Sequence, residues 1–127
     1  MQTISEIFLV DANGGSPLVK LTDNTASEGN PSWSPDGSQI AFERDIGSGV
    51  YNIFLMNADG SGSPQNLTND IYSNRNPVWS EDGTQIIYER IQGSNIDVYS
   101  INTDGTNSTP LTTDSGRDEN PLWGGLR

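Results

Sequence analysis

The chain of 127 residues is long enough for one domain, yet only 31% of it is hydrophobic, too little for one large close-packed core. Seventeen acidic residues against six basic ones give a formal charge of −11, which leaves little to neutralise phosphates and argues against nucleic acid and anionic membrane as partners. With neither Cys nor His, the chain can form no disulfide and lacks the commonest zinc ligand and the commonest general base.

Two kinds of chain fit this composition: a partly disordered polar one, or a repeat protein whose thin sheets need few core residues each. The Trp and Tyr residues fall within repeated stretches, which favours the repeat. No apolar run approaches the length of a membrane span, so membrane insertion is not expected. The start, "MQTISEIFLV", has neither a basic flank nor a small-residue cleavage site and does not read as a signal peptide. The acidic excess reads most simply as a source of solubility.

In chain order, "EIFLVDANGGSPLVKLT" (6–22) opens on a strand-like run, turns at "DANGG" and closes on an edge ending in "LT". A polar loop (23–30) leads into "NPSWSPDGSQIAFER" (30–44). There a short strand opens after Pro31, and "PDG" supplies a tight turn in which Gly tolerates positive φ. A second strand follows, with Ile40 and Phe42 alternating as on a half-buried surface. "NIFLMN" (52–57) reads as a third strand, and Asp59–Gly60 turns the chain towards a short outer edge ending in "LT" at 67–68.

The sequence then repeats itself. "NPVWSEDGTQIIYER" (76–90), "DVYSIN" (97–102), the Asp104–Gly105 turn and "LT" at 111–112 retrace the same path, and "NPLW" (120–123) begins it once more. Trp33, Trp79 and Trp123 are spaced by 46 and 44 residues, and Leu21, Leu67 and Leu111, each followed by Thr, keep those spacings. "DANGG", "NADGS" and "NTDGT" form a third set in the same register. Four strands per unit of about 45 residues is the period of propeller blades, and no segment has helical periodicity. The expected class is all-β.

The joint occurrence of W-S-P-D-G, N-A-D-G and L-T in "NPSWSPDGSQIAFER" and "NIFLMNADGSGSPQNLT" closely resembles the WD40-like repeat called PD40, found in the propeller of the TolB family. The second copy departs at Glu81, where the motif usually has Pro, and after Trp123 only "GGLR" follows. The resemblance implies blades of four antiparallel strands arranged radially, with the Trp-bearing strand innermost. It also implies protein–protein association at the bacterial envelope, in cytoplasm or periplasm. Related repeats serve as accessory propellers of hydrolases.

Counted this way, residues 31–68 and 77–112 each supply a full blade. Residues 6–22 match only the third and outer strands, and 120–127 only an inner strand. Together the ends make one blade that lacks most of its second strand, unless Met1–Ser5 replaces it. Three blades cannot close a ring, and open sheet edges invite association. The expectation is a C2 homodimer in which the N-terminal strands of one chain complete the blade begun by the C-terminus of the other, giving six blades. A nine-bladed trimer, or a natural or engineered fragment of a longer chain, would also fit.

The chemistry is sparse. "NADGSGS" and "NTDGTNS" carry oxygens that suit a hard cation but lack a full ligand set, and Asp59, Asp104, Asp36 and Asp82 all lie where a hairpin needs Asp-Gly. No metal and no cofactor is expected. Glu43–Arg44 and Glu89–Arg90 point to opposite strand faces and read as cross-strand or inter-blade ion pairs. The two Glu should lie far apart, which argues against a carboxylate pair for glycoside chemistry. No nucleophile–base arrangement can be assembled, so the chain is not expected to be an enzyme. Asn66-Leu67-Thr68 is a glycosylation sequon only in a eukaryotic secretory setting.

The loops before each "NP" differ most between copies and would surround a channel mouth. Glu28, Tyr72, Arg75, Arg117, Asp118 and Glu119 are their candidate binding side chains, for a protein, a peptide or a small polar ligand. Asn30, Asn76 and Asn120 recur in every copy and, like the three Trp, read as structural. The expected function is a binding or scaffold module that self-assembles. The alternative is an accessory or gating propeller of a larger hydrolase or peptidase.

Overall fold

In a computed structural model, residues 4–14 and 18–112 are described. The candidate residues Arg117, Asp118, Glu119, Asn120 and Trp123, with the expected inner strand at 120–127, lie outside them. The described residues form ten strands and no helix. β1 (Phe8–Leu9) and β2 (Val19–Lys20) pair with each other alone. β3 (Glu28–Trp33), β4 (Gln39–Gly47), β5 (Val50–Asn57) and β6 (Gln65–Asn66) make a four-stranded meander in chain order. β7 (Ser73–Trp79), β8 (Gln85–Gln92), β9 (Asn95–Asn102) and β10 (Thr109–Pro110) make a second one. Every pairing is antiparallel.

The Trp-bearing strands start before the positions expected from their prolines, at Glu28 and Ser73 rather than at 31 and 77. The cause is a bulge. The ladder shifts register between Gly29 and Ser32 and again between Arg75 and Val78. Asn30 and Asn76 take left-handed φ values of 49° and 56° there, a conformation Asn tolerates better than most residues. Pro31 and Pro77, which have no N–H to give, thus fall where the ladder asks for none.

Each "LT" closes its unit in the same way. The N–H groups of Leu21, Leu67 and Leu111 donate to the carbonyls of Ile7, Ile53 and Val98 at 2.8, 2.8 and 2.7 Å. The hydroxyls of Thr22, Thr68 and Thr112 accept from the N–H groups of those same three residues at 2.9, 3.1 and 3.0 Å. A short outer strand is thereby held by a side chain where its ladder ends. The β1–β2 pair shares this closure with the two complete sheets.

The core is layered. Ala41, Ile53, Leu55 and Leu67 of the first sheet meet Trp79, Ile86, Tyr88 and Ile101 of the second. Ile40, Phe42, Phe54 and Met56, on the opposite face, meet Ile7 and Leu21. β4 and β8 are therefore buried on both faces, not half-buried as their alternation suggested, because each sheet is covered on both sides. Thin layers sharing strands in this way need few hydrophobic residues, which reconciles a folded chain with its polar composition.

Candidate functional site

The contact between the two complete sheets is the most elaborate polar feature of the molecule. Arg75 on β7 reaches back to Glu43 on β4, with Nη2 at 2.7 Å and Nε at 3.1 Å from Oε1. Its guanidinium lies over the Tyr51 ring, 4.4 Å from the centroid. The hydrogen bond from Arg75 to Glu43 raises the guanidinium pKa further, outweighing the burial that opposes it. Glu43 Oε2 accepts from the backbone N–H of Asn76 at 2.9 Å, and Asn76 Nδ2 donates to Glu89 Oε2 at 2.8 Å. Asn30 Nδ2 donates to Asn76 Oδ1 at 2.8 Å. The Trp79 indole N–H donates to the Ser32 carbonyl at 2.9 Å.

One expectation is corrected by this geometry. Glu43 and Glu89 are not remote from each other, because both carboxylates bind the same residue, Asn76. Both are buried and held by structural donors.

A second polar cluster lies at the start of each Trp-bearing strand. In the first sheet Arg44 binds Glu28 Oε1 through Nε and Nη2, both at 2.6 Å, and Asn24 donates to the same oxygen at 2.9 Å. In the second sheet Arg90 Nε donates to Asn74 Oδ1 at 3.0 Å, and Nη2 binds Asp70 Oδ2 at 2.6 Å. Acid and amide have exchanged places: Asn24 and Glu28 correspond to Asp70 and Asn74. Either arrangement offers the arginine one carboxylate. The guanidinium of Arg44 stacks on Phe54 at 4.5 Å and that of Arg90 on Tyr99 at 4.3 Å.

The candidate binding residues thus separate. Glu28 and Arg75 lie on strands rather than loops. Glu28 is 3% exposed and committed to Arg44, while Arg75 is committed to Glu43. Tyr72 keeps a partly open ring, and beside it Ile71, which sequence reasoning passed over, is 82% exposed. An isoleucine inside a polar loop was the available signal. Trp33, read as structural like its repeats, is half-exposed. It borders an open cleft of about 510 Å³ shared with Ser38, Asn57, Asp59 and Ser61.

The Asp-Gly aspartates organise turns. Asp36 accepts from the Ser38 hydroxyl, the Ser38 N–H and the Ser34 hydroxyl, and these bonds lower its carboxyl to about 2. Asp82 is lowered in the same way by Ser80 and Thr84, Asp59 by Ser61, and Asp104 by Thr106. Among the described residues no three His, Cys, Asp or Glu side chains cluster as a metal site.

Four-stranded antiparallel meanders stacked face to face, with a repeated aromatic strand at one edge, define a β-propeller type of repeat. The family model for the TolB beta propeller domain, PD40, matches residues 2–125, and the chain belongs to that family. Among solved structures, the putative TolB from Agrobacterium tumefaciens is similar with a TM-score of 0.75 at 27% identity, over 87% of this chain and 39% of that one. TolB from Acinetobacter baumannii gives 0.70 at 20% identity, over 87% and 27%. An oligogalacturonate lyase from Vibrio parahaemolyticus gives 0.67 at 19% identity, over 97% and 33%, a likeness of fold. The chain therefore spans about two-fifths or less of the length of these three proteins. No curated protein matches it.

Proposed function

We propose that the chain is a non-catalytic propeller module for binding or scaffolding, which assembles by sharing a split blade between copies. Two chains close a six-bladed ring as a C2 homodimer. The observation that carries this reading is the β1–β2 pair. It repeats the "LT" closure of the complete sheets but holds only two strands, while the inner-strand phrase recurs at 120–123. Its missing strands match what the other end of a second copy offers, and a heterologous contact of this kind must close or polymerise.

The non-catalytic part is supported by the state of the acids. Glu28, Glu43 and Glu89 are buried in structural hydrogen bonds, and the Asp-Gly carboxylates are engaged in their turns. Ligand contact falls to the loop that carries Tyr72, together with Arg117, Asp118 and Glu119, at the mouth of the ring. The ligand class is a peptide or a small polar molecule. Sedimentation velocity at micromolar concentration should give the mass of two chains. A single-chain mass contradicts the ring, and a three-chain mass replaces six blades with nine.

A further inference from the structure

Corresponding residues occupy two different environments in this chain. Trp79 is 7% exposed and its indole N–H is bound to the Ser32 carbonyl, while Trp33, its counterpart in the first sheet, is 51% exposed. Phe54 and Met56 on β5 are 8% and 5% exposed, while their counterparts on and beside β1, Phe8 and Val10, are 47% and 61% exposed. The closing bonds are intact on both sides, so the contrast comes from what covers each surface and not from local folding.

We infer that Trp33, Phe8 and Val10 form the seat for a second copy of this chain, and that the Trp33 indole N–H takes a backbone carbonyl of that copy's inner strand. The inference rests on the ring reading above. The contact between the complete sheets specifies the occupant. Trp79 is satisfied by the carbonyl of the residue just before the neighbouring Trp, and the phrase that offers such a carbonyl recurs at "NPLW". The acceptor for Trp33 is accordingly the partner subunit's Leu122. Phe8 and Val10 lie on the face that in the first sheet packs against the preceding unit, and that unit is the partner's last complete sheet. The tail "GGLR" offers no counterpart of Glu43, so this seat lacks the ion pair of the internal contact and depends on Trp33 for its polar anchor.

The test follows indole N–H exchange by NMR on the unmodified chain, at a concentration where sedimentation gives its mass. The resonance lost in Trp33→Phe identifies the residue. In the two-chain particle the Trp33 indole N–H should exchange at least about tenfold more slowly than a free indole, in the manner of Trp79. Trp33→Phe keeps the ring and removes the donor, and should weaken the dimer about fivefold or more, since the contact occurs twice. A two-chain particle whose Trp33 indole exchanges at the free rate overturns the seat and leaves the ring standing. A single-chain particle overturns both.

Discussion

The two sides of the first sheet are built from the same repeated residues and differ in what covers them. Towards the second sheet, Trp79 closes over Ser32, Arg75 crosses to Glu43, and the remaining cavity beside Trp79 is about 140 Å³. Towards β1–β2, Leu21 and Ile7 fill the bottom of the contact, but Trp33 stands open above a cleft of about 510 Å³. A unit's outer strands are therefore enough to seat the apolar floor. Burial of the tryptophan and the ion pair both require the inner strands of the preceding unit. Stability in such an array is a sum of units and of their contacts, and here one contact is complete while the other is half made.

Substitutions should separate these two contacts, and the largest effect belongs to the floor of the complete one. Ile53 is fully buried between the sheets, and Ile53→Ala should cost about 3–4 kcal/mol in urea unfolding. An effect below about 1 kcal/mol would mean that the two sheets do not share a packed core. Next comes the tryptophan pair. Trp79→Phe loses a hydrogen bond within the chain and should cost about 1 kcal/mol at every concentration. Trp33→Phe should cost little in a dilute single chain, so equal losses for both under that condition would erase the distinction between the two contacts.

The smallest effect expected is that of acid on the turn between β3 and β4. Asp36 has its pKa lowered from 3.8 to about 2 by hydrogen bonds to its charged form. A depressed carboxylate stabilises the fold above its unfolded pKa and loses that contribution as pH falls towards the folded value. The unfolding midpoint should therefore decline between about pH 4 and pH 2, and Asp36→Asn should flatten part of that slope. An unchanged slope would show that the turn bonds do not discriminate between the charged and neutral carboxyl.

Much of this architecture was legible because the repeat exposes it three times over. The "LT" pairs, the Asp-Gly turns and the Trp strands recur in register, and each proves to have one physical job in every described copy. The bulge was harder to read. Pro31 marks a strand that begins three residues earlier, and only the left-handed Asn30 reveals how the chain passes the proline. The buried acids were harder still. Glu28 and Arg75 sit among loop-like polar residues, and their commitment to Arg44 and Glu43 depends on partners 16 and 32 positions away. The exchange of acid and amide between the two arginine clusters makes each look unpaired when one copy is read alone. The exposure of Trp33 could not be read from its motif, which matches that of the buried Trp79.

The central claim is that a second copy completes what the first sheet lacks. Its most direct test is the melting temperature across a roughly hundredfold dilution, since a fold completed by association loses stability by mass action. The account predicts a melting temperature that falls with dilution, and lies lower at each concentration in Trp33→Phe. Superimposable melts for the unmodified chain at all concentrations would contradict it.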